Sequence, residues 1–179
     1  ASWSKSGLWA ADGTPSTMPG GAYRGSWPSS LNYNDGIDYD TGARTSGEAM
    51  SPMVNIPAAG AVLTFWCNYK TETTGTYYDQ RCVRIKRASD LVVLSQYQLA
   101  SSGGTAGAGS CAAMGTWHQH SIAIPGGVGT IRIAFFFDSM DTYMNTHPGW
   151  FLEDLSVTTT TGTPPATSVT PLASAYANV

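Results

Sequence analysis

The sequence predicts an all-β sandwich built as a single domain. Runs of β-branched and aromatic residues with two-residue alternation recur between turn-forming segments, whereas no stretch shows sustained helical periodicity. A chain of 179 residues is an ordinary size for one sandwich and is long enough to bury a sizeable core. Seven or more strands in one chain require a closed or two-layered arrangement, which favours this fold class.

Seven strands are predicted, each bounded by segments rich in the residues that turns require. They are residues 47–56, 61–71, 77–87, 91–100, 116–125, 130–139 and 149–158. The first 46 residues place Trp and Tyr among Gly, Ser, Pro and Asn, which indicates long ordered loops with one or two short strands. The predicted domain therefore covers residues 1–158. Residues 159–179 are Thr/Pro-rich without apolar periodicity, and we interpret them as a linker or tail.

The composition argues against nucleic-acid binding and against a membrane span. Charged residues make up 12% of the chain, against roughly 25% in a typical globular protein. The net charge is −3, and basic residues are scattered apart from a short cluster at positions 81–87. The longest comparable stretch, residues 131–137, has the length of a strand. Abundant Gly, Ser, Thr, Trp and Tyr favour a secreted or cell-surface module over a cytosolic enzyme.

Two of the three cysteines can face each other across a hairpin. Cys67 and Cys82 flank residues 68–81, and they fall opposite each other if Thr74 and Gly75 form the tip. A cross-strand disulfide is one reading of this spacing and implies an oxidising compartment. Two small buried thiols are the other. Cys111 lies in a Gly/Ser/Ala-rich segment without an obvious partner.

The last predicted strand changes its alternation at Glu153 and Asp154. Apolar side chains occupy positions 150 and 152 before these acids, and positions 155 and 157 after them. A β-bulge produces such a change of phase, and bulges re-aim side chains near functional sites. We therefore expect Asp154 to leave the regular alternation and to face an ion or a polar network at the edge of the sandwich.

The order of several landmarks resembles a group of secreted jelly-roll domains. These are the cleaved-adhesin domains of gingipain-type proteases, the carboxy-terminal modules of secreted bacterial metallopeptidases and, more distantly, MAM domains. The landmarks are "YDTG" at 39–42, "GEAMSPMVNIP" at 47–57, "AVLTFWCNY" at 61–69, "YYDQRCVRI" at 77–85, "GTWHQHSIAIP" at 115–125, "IRIAFFFDS" at 131–139 and "GWFLEDLSV" at 149–157. The chain departs from the group in having Glu153 where Asp is usual and in lacking MAM-type cysteine spacing. The resemblance implies a non-catalytic jelly roll of two antiparallel sheets, often stabilised by calcium.

Calcium is the cofactor that this resemblance implies. In related jelly rolls the second acid of the closing strand contacts a structural ion, which points to Asp154, with Glu153 and Asp12 as further candidates. A second acidic segment, "NYNDGIDYDTG", supplies oxygen ligands of the kind that calcium requires, at Asp35, Asp38 and Asp40. Acidic turn residues also commonly cap their own backbone, and that alternative stays open.

Aromatic side chains in loops or at strand ends are candidates for gripping sugar rings by stacking. They are Trp9, Tyr23, Trp27, Tyr33 and Tyr143, with Tyr77 and Tyr78 beside the proposed hairpin tip. A packing role is the alternative for each of them. The tryptophans within strands, Trp66, Trp117 and Trp150, are predicted to lie in the core.

His118 and His120 lie two residues apart, so on a regular strand both point to one face. That geometry can hold zinc or copper, but no third ligand is in evident reach in the sequence. An inward, hydrogen-bonded His120 is the alternative, because Ile122 and Ile124 continue the same face.

The leading hypothesis is a non-catalytic extracellular module that binds a glycan or a protein surface. The sequence has no G-x-S-x-G elbow, no H-E-x-x-H motif and no signature around a nucleophilic cysteine. Two alternatives remain open. One is a structural subunit of a surface layer or filament whose copies self-associate, and the other is a small secreted hydrolase or lyase.

Overall fold

The computed structural model describes residues 2–12, 30–34 and 36–159, with Asp12 described by its backbone alone. This part of the chain contains eleven β-strands and no helix. It accordingly offers no helix that is long and apolar enough to cross a membrane. The all-β prediction is confirmed.

The strands follow the predicted order, with additional short strands near the amino terminus. They are β1 (Ser4–Lys5), β2 (Trp9–Asp12), β3 (Ser30–Tyr33), β4 (Ser46–Met50), β5 (Val54–Asn55), β6 (Ala61–Lys70), β7 (Gln80–Arg87), β8 (Val93–Gln98), β9 (His118–Ile124), β10 (Thr130–Asp138) and β11 (Gly149–Thr159). The last strand ends one residue beyond the predicted domain boundary at 158. The predicted linker from residue 160 onward lies outside the described residues.

The strands form two antiparallel sheets. The six-stranded sheet has the order β1-β4-β10-β7-β8, with β5 pairing to β10, and the five-stranded sheet has the order β2-β3-β11-β6-β9. Strands that follow each other in sequence mostly lie in different sheets, so the chain crosses repeatedly between the two layers. This arrangement is a β-sandwich with its core between the sheets.

Aromatic rings from both sheets interlock in the core. Trp150 on β11 contacts Trp9 on β2 and Phe135 on β10, with ring centroids 5.4 and 5.7 Å apart. Tyr33 stacks on Phe137 at 4.3 Å. Such aromatic pairs add about 0.5–1.5 kcal/mol each beyond the area they bury. The prediction that Trp150 lies in the core is confirmed.

The amino-terminal segment contributes to this core, which corrects two predictions. Trp9 and Tyr33 were candidates for sugar-binding platforms, with a packing role as the alternative; each lies on a strand and is at most 5% exposed, so the packing alternative holds for both. The Trp9 indole donates a hydrogen bond to the Gly47 carbonyl at 3.1 Å, which fastens β2 to the opposite sheet. Among the described residues, the first 46 hold β1, β2 and β3, one strand more than expected.

The β-bulge predicted in the closing strand is present. The register of β11 against β6 shifts between Glu153 and Ser156. Asp154 has a φ of 48°, in the left-handed region that Asp tolerates better than most residues. Trp150 and Leu152 before the bulge and Leu155 after it all contact the core. The bulge thus keeps the apolar side chains inward while Asp154 turns to solvent.

The disulfide predicted between Cys67 and Cys82 is wrong, because all three cysteines are free thiols. The segment between β6 and β7 does not form a hairpin; it crosses from the five-stranded to the six-stranded sheet. Cys67 is part of the core cluster. Cys82 alternates with the core residue Val83 and therefore lies on the outer face of the other sheet.

The basic cluster at positions 81–87 forms no free positive patch, because its members are paired or buried. Glu48 on β4 accepts hydrogen bonds from Arg84 at 2.7 Å and from Lys86 at 2.5 Å, across the outer face of the six-stranded sheet. Burial opposes ionisation of Glu48, but the hydrogen bonds from Lys86 and Arg84 outweigh it and lower the pKa of this carboxyl. Arg87 pairs with Asp90.

Replacing Glu48 by Gln should lower the free energy of unfolding by about 1 kcal/mol at neutral pH. Because the folded-state pKa of Glu48 is depressed, its contribution is present above the ordinary value near 4.5 and is lost as the pH falls below it. Urea unfolding at several pH values would show the wild-type advantage shrinking in acid. Asp90→Asn, which breaks an exposed pair, should have a smaller effect. Equal losses, or a Glu48 effect that persists in acid, would contradict the assignment.

Candidate functional site

Four loops meet at one end of the sandwich and form a surface that we call the loop face. They are the connections at residues 34 and 36–45, 71–79, 99–117 and 139–148. Backbone hydrogen bonds join them in pairs: Ser101 donates to the Thr74 carbonyl, and Ser139 donates to the Thr45 carbonyl, both at 2.9 Å. Loops carried by a rigid sandwich are where binding groups are commonly found in β proteins.

A buried carboxylate, Asp79, holds two of these loops together. Its Oδ2 atom accepts hydrogen bonds from the Tyr39 hydroxyl at 2.5 Å and from the Glu72 backbone N–H at 2.8 Å. Both Asp79 and Tyr39 are fully buried. Burial raises the pKa of each side chain, and the Tyr39–Asp79 contact further opposes ionisation of the phenol.

An ion pair fixes a third loop. Arg44 donates from Nε and Nη2 to the two carboxylate oxygens of Asp138, at 2.8 and 2.6 Å. Asp138 also accepts a hydrogen bond from the Met140 backbone N–H at 2.8 Å. This bidentate geometry is the strong form of an Arg–carboxylate contact. It ties residues 34–45 to the start of the loop at 139–148.

The outer part of the loop face combines carboxylates with exposed aromatic rings. Desolvation, followed by the negative charges of Asp141 and Asp79, raises the pKa of Glu72, since these acids lie near one another. Tyr77 is 74% exposed and Tyr143 is 73% exposed. These groups can stack on a sugar ring and accept hydrogen bonds from its hydroxyls.

Predicted ligand-binding residues thus fall into three groups. Tyr143 and Tyr77 are exposed on the loop face, as expected for platforms, and Tyr78 is half-buried with its ring 5.2 Å from that of Tyr77. Trp9 and Tyr33 are core residues, as described above. Tyr23 and Trp27 lie outside the described residues.

Trp66 departs from its predicted place in the core. It alternates along β6 with the core residues Phe65 and Cys67, so its half-buried side chain lies on the outer face of the five-stranded sheet. This face is a second place where an aromatic ring could meet a ligand. The sequence could have predicted the outward position of Trp66, because successive residues of a strand point to opposite faces of the sheet and Phe65 points into the core.

The acids of the closing strand line a groove at the sandwich edge. The groove has a volume of about 620 Å³ and is lined by both sheets, including Trp3, Lys5, Glu153 and Asp154. Glu153 is 5% exposed, whereas Asp154 is open to solvent. Asp12 pairs with Ser30, one residue beyond the Leu31–Leu152 pair, so the register carries the backbone of Asp12 toward Glu153.

Carboxylate oxygens of the acidic segment at residues 36–42 accept hydrogen bonds from the backbone of the same segment. An oxygen of Asp38 accepts from the Asp40 N–H at 2.9 Å, and an oxygen of Asp40 accepts from the Gly42 N–H at 2.8 Å. These are successive Asx turns, the capping alternative expected for such residues. Asp35 lies outside the described residues.

Comparison with solved structures finds the same fold in two cleaved adhesin domains and in the module TmCBM61. The K1 cleaved adhesin domain of Lys-gingipain from Porphyromonas gingivalis W83 is similar with a TM-score of 0.54 and 14% identity, covering 89% of this chain and 91% of that one. The K3 domain of the same protein gives 0.52 and 21%, covering 89% and 92%. The module TmCBM61, solved with β-1,4-galactotriose, gives 0.50 and 15%, covering 87% and 86%.

No family model matches the sequence, and no curated protein matches it. At the identities above, structural similarity establishes the fold. The expected jelly-roll sandwich, of the kind seen in gingipain adhesin domains, is thereby confirmed.

Replacing Tyr39 by Phe should destabilise the protein by about 1–2 kcal/mol, because it leaves the buried Asp79 carboxylate with one donor fewer. Thermal or urea unfolding measures the loss. Tyr97→Phe is the matched control, since its hydroxyl makes an exposed 3.4 Å contact with the Ala123 carbonyl. If both variants unfold at the wild-type midpoint, Asp79 does not hold the loops as described.

Proposed function

We propose that this domain is a non-catalytic binding module that holds a glycan on its loop face. The observation that carries the proposal is that two loops of the loop face each present a highly exposed ring, Tyr77 and Tyr143, and that the same two loops carry the neighbouring acids Glu72 and Asp141. The proposal also includes an extracellular setting, either secreted or at the cell surface. Its support is the likeness to adhesin and carbohydrate-binding domains and the composition.

Buried or paired side chains hold the loops of the loop face in place, whereas its large aromatic rings stay exposed. Asp79 and Asp138 engage their loops through buried or bidentate contacts, whereas Tyr77 and Tyr143 are exposed. A large ring that stays exposed in the free protein gains contact area only when a ligand covers it. Sugar rings present apolar C–H faces of matching size, and their hydroxyls suit nearby carboxylates.

The negative charge of the loop face disfavours anionic glycans as ligands. Glu72 and Asp141 bring negative charge to the rim, and the chain as a whole carries −3. Uronic-acid-rich and sulfated polysaccharides would meet repulsion there. We therefore propose a neutral glycan, and the β-1,4-galactotriose bound by TmCBM61 is a suitable first probe.

Replacing Tyr143 by Ala should weaken binding of a neutral glycan about tenfold, which corresponds to about 1.4 kcal/mol of lost stacking and contact. A glycan array identifies the ligand, and isothermal titration calorimetry with that oligosaccharide measures the dissociation constant. Tyr77→Ala should have a similar effect.

Two controls locate the site. Met53→Ala removes another exposed apolar side chain, away from the loop face, and should leave affinity unchanged. Trp66→Ala tests the outer face of the five-stranded sheet. A loss with Trp66→Ala alone would move the site there and overturn the loop-face assignment. Turnover of the glycan by the purified chain would overturn the non-catalytic proposal.

Assembly is the second candidate function, favoured by one feature of the six-stranded sheet. Strand β8 lies at its edge, and the apolar residues at positions 91–94 are each at least 37% exposed. An exposed apolar edge strand is a template for pairing with another chain. Concentration-dependent assembly in sedimentation, with no binding on the glycan array, would support a structural subunit instead.

Calcium binding at the closing strand stays a prediction, with Asp154, Glu153 and Asp12 as ligands, and Asp38 and Asp40 as the alternative set. Glu153, which is buried, and Asp154, which is open to solvent, both line the groove at the bulge. Calcium needs six to eight oxygens, so backbone carbonyls or water must complete the shell.

Removing calcium should lower the free energy of unfolding by about 3–4 kcal/mol if the site is well saturated. Thermal melting of chelator-treated protein, followed by return of calcium or of magnesium, measures the effect. Asp154→Asn should abolish the response to calcium, whereas Asp40→Asn should preserve it. An unchanged melting midpoint after chelation would contradict the calcium-binding prediction.

A further inference from the structure

Metal-ligating side chains converge beneath the 99–117 loop. The Cys67 Sγ atom and one ring nitrogen each from His118 and His120 lie within 4.8 Å of one another. Cys67 on β6 pairs directly with His118 on β9, and His120 follows on the same face. The sequence showed the two histidines without a third ligand, because Cys67 reaches them only through the β6–β9 pairing.

A fourth ligand comes from the loop itself. The Cys111 Sγ atom lies 3.8 Å from Nε2 of His120. The Cys111 backbone N–H donates to the Ala100 carbonyl at 2.9 Å, which positions this segment over the sheet. The cluster therefore offers two sulfur and two nitrogen ligands.

Both imidazoles are oriented by backbone carbonyls. Nδ1 of His120 is 2.7 Å from the Ala108 carbonyl oxygen, and Nδ1 of His118 is 2.9 Å from that of Thr116. A carbonyl can only accept, so each Nδ1 carries the proton and each neutral ring keeps its lone pair on Nε2. Nε2 of His118 is buried and has no hydrogen-bond partner in the described part of the chain. Metal-bound histidines are held by outer contacts of this kind.

The surroundings offer donors suited to thiolate ligands. The Trp150 indole donates to the Cys67 sulfur at 3.2 Å, and the positive charge of Arg81 lies near the Cys111 sulfur. Arg81 is fully buried, and no carboxylate pairs with it among the ion pairs of the described residues. Its Nε also has no acceptor within them. Anionic sulfur would satisfy these donors better than a neutral thiol.

We propose that Cys67, Cys111, His118 and His120 form a structural site for one Zn²⁺ ion, which ties the 99–117 loop to strands β6 and β9. Two sulfurs and two nitrogens in tetrahedral array are a common structural zinc set. Zinc–ligand bonds of about 2.0–2.3 Å place the ligand atoms about 3.3–3.8 Å apart, so Cys67, His118 and His120 need to approach one another by up to about 1 Å. Cys111, which the structure places beside His120, must move further in with its loop to complete the set. Binding releases one proton from each thiol, and the resulting site adds no net charge to the interior.

The site is closed rather than catalytic. Cys67, Cys111 and His120 are buried, and His118 is half-buried, which leaves one side for the ion to enter. Four protein ligands leave no open position for water or substrate. The inference is independent of glycan binding, since none of the four ligands lies among the exposed groups of the loop face.

Cobalt substitution of the untagged chain tests the site. After removal of bound metal, Co²⁺ should give intense visible bands of tetrahedral coordination and a thiolate charge-transfer band, at one ion per chain. Zn²⁺ should displace it, and metal analysis after dialysis should find one zinc per chain. Cys111→Ser and His118→Gln should each weaken zinc binding at least tenfold.

Cys82→Ser is the matched control, because it removes a buried thiol that lies on the outer face of the other sheet. It should keep both the spectrum and the stoichiometry. Circular dichroism of the Cys111→Ser variant checks that its loss of metal is not loss of fold. Absence of the charge-transfer band, equal loss in Cys82→Ser, or an intact mass showing a Cys67–Cys111 disulfide would overturn the proposal.

Discussion

The indole of Trp150 is the contact on which the rest of the structure depends. Its ring meets Phe135 in the opposite sheet and Trp9 of the amino-terminal segment, so one side chain joins three parts of the fold. Its N–H is satisfied by the Cys67 sulfur, which places the thiol and histidine cluster beside the core. The bulge that follows Trp150 changes the phase of β11 at Glu153 and Asp154. The strand can therefore direct Trp150 and Leu152 before these acids, and Leu155 after them, toward the same core.

The loop face consists of loops that extend from one end of the β-sandwich and carry exposed aromatic rings. The loops are not held by regular strand pairing. Instead, Asp79 and Asp138 each collect donors from more than one loop segment. Buried carboxylates of this kind are costly unless satisfied, so they order the loops strongly once their donors are present. Within the 139–148 loop, the Tyr143 backbone N–H donates a hydrogen bond to the Asp141 carboxylate, which fixes the backbone that carries the exposed ring.

Much of the fold was predictable from alternation and turn residues. The seven predicted strands correspond to strands β4–β11, with residues 47–56 divided into β4 and β5. The bulge was predictable because a change of phase is visible in the sequence. Trp9 and Tyr33 were misplaced because strands of four residues are too short to show alternation. The pairing of Cys67 with Cys82 failed because a hairpin and a crossover between sheets look alike in sequence, and Cys67 instead meets His118 through long-range strand pairing.

The most direct test of the central claim is an NMR titration of the intact chain with the neutral oligosaccharide that binds best. If the loop face holds the glycan, chemical-shift changes should be confined to residues 37–45, 72–78 and 139–147, with ring protons of Tyr77 and Tyr143 among the largest. Changes centred on Trp66 and the outer face of the five-stranded sheet would contradict it, as would the absence of any change at saturating ligand.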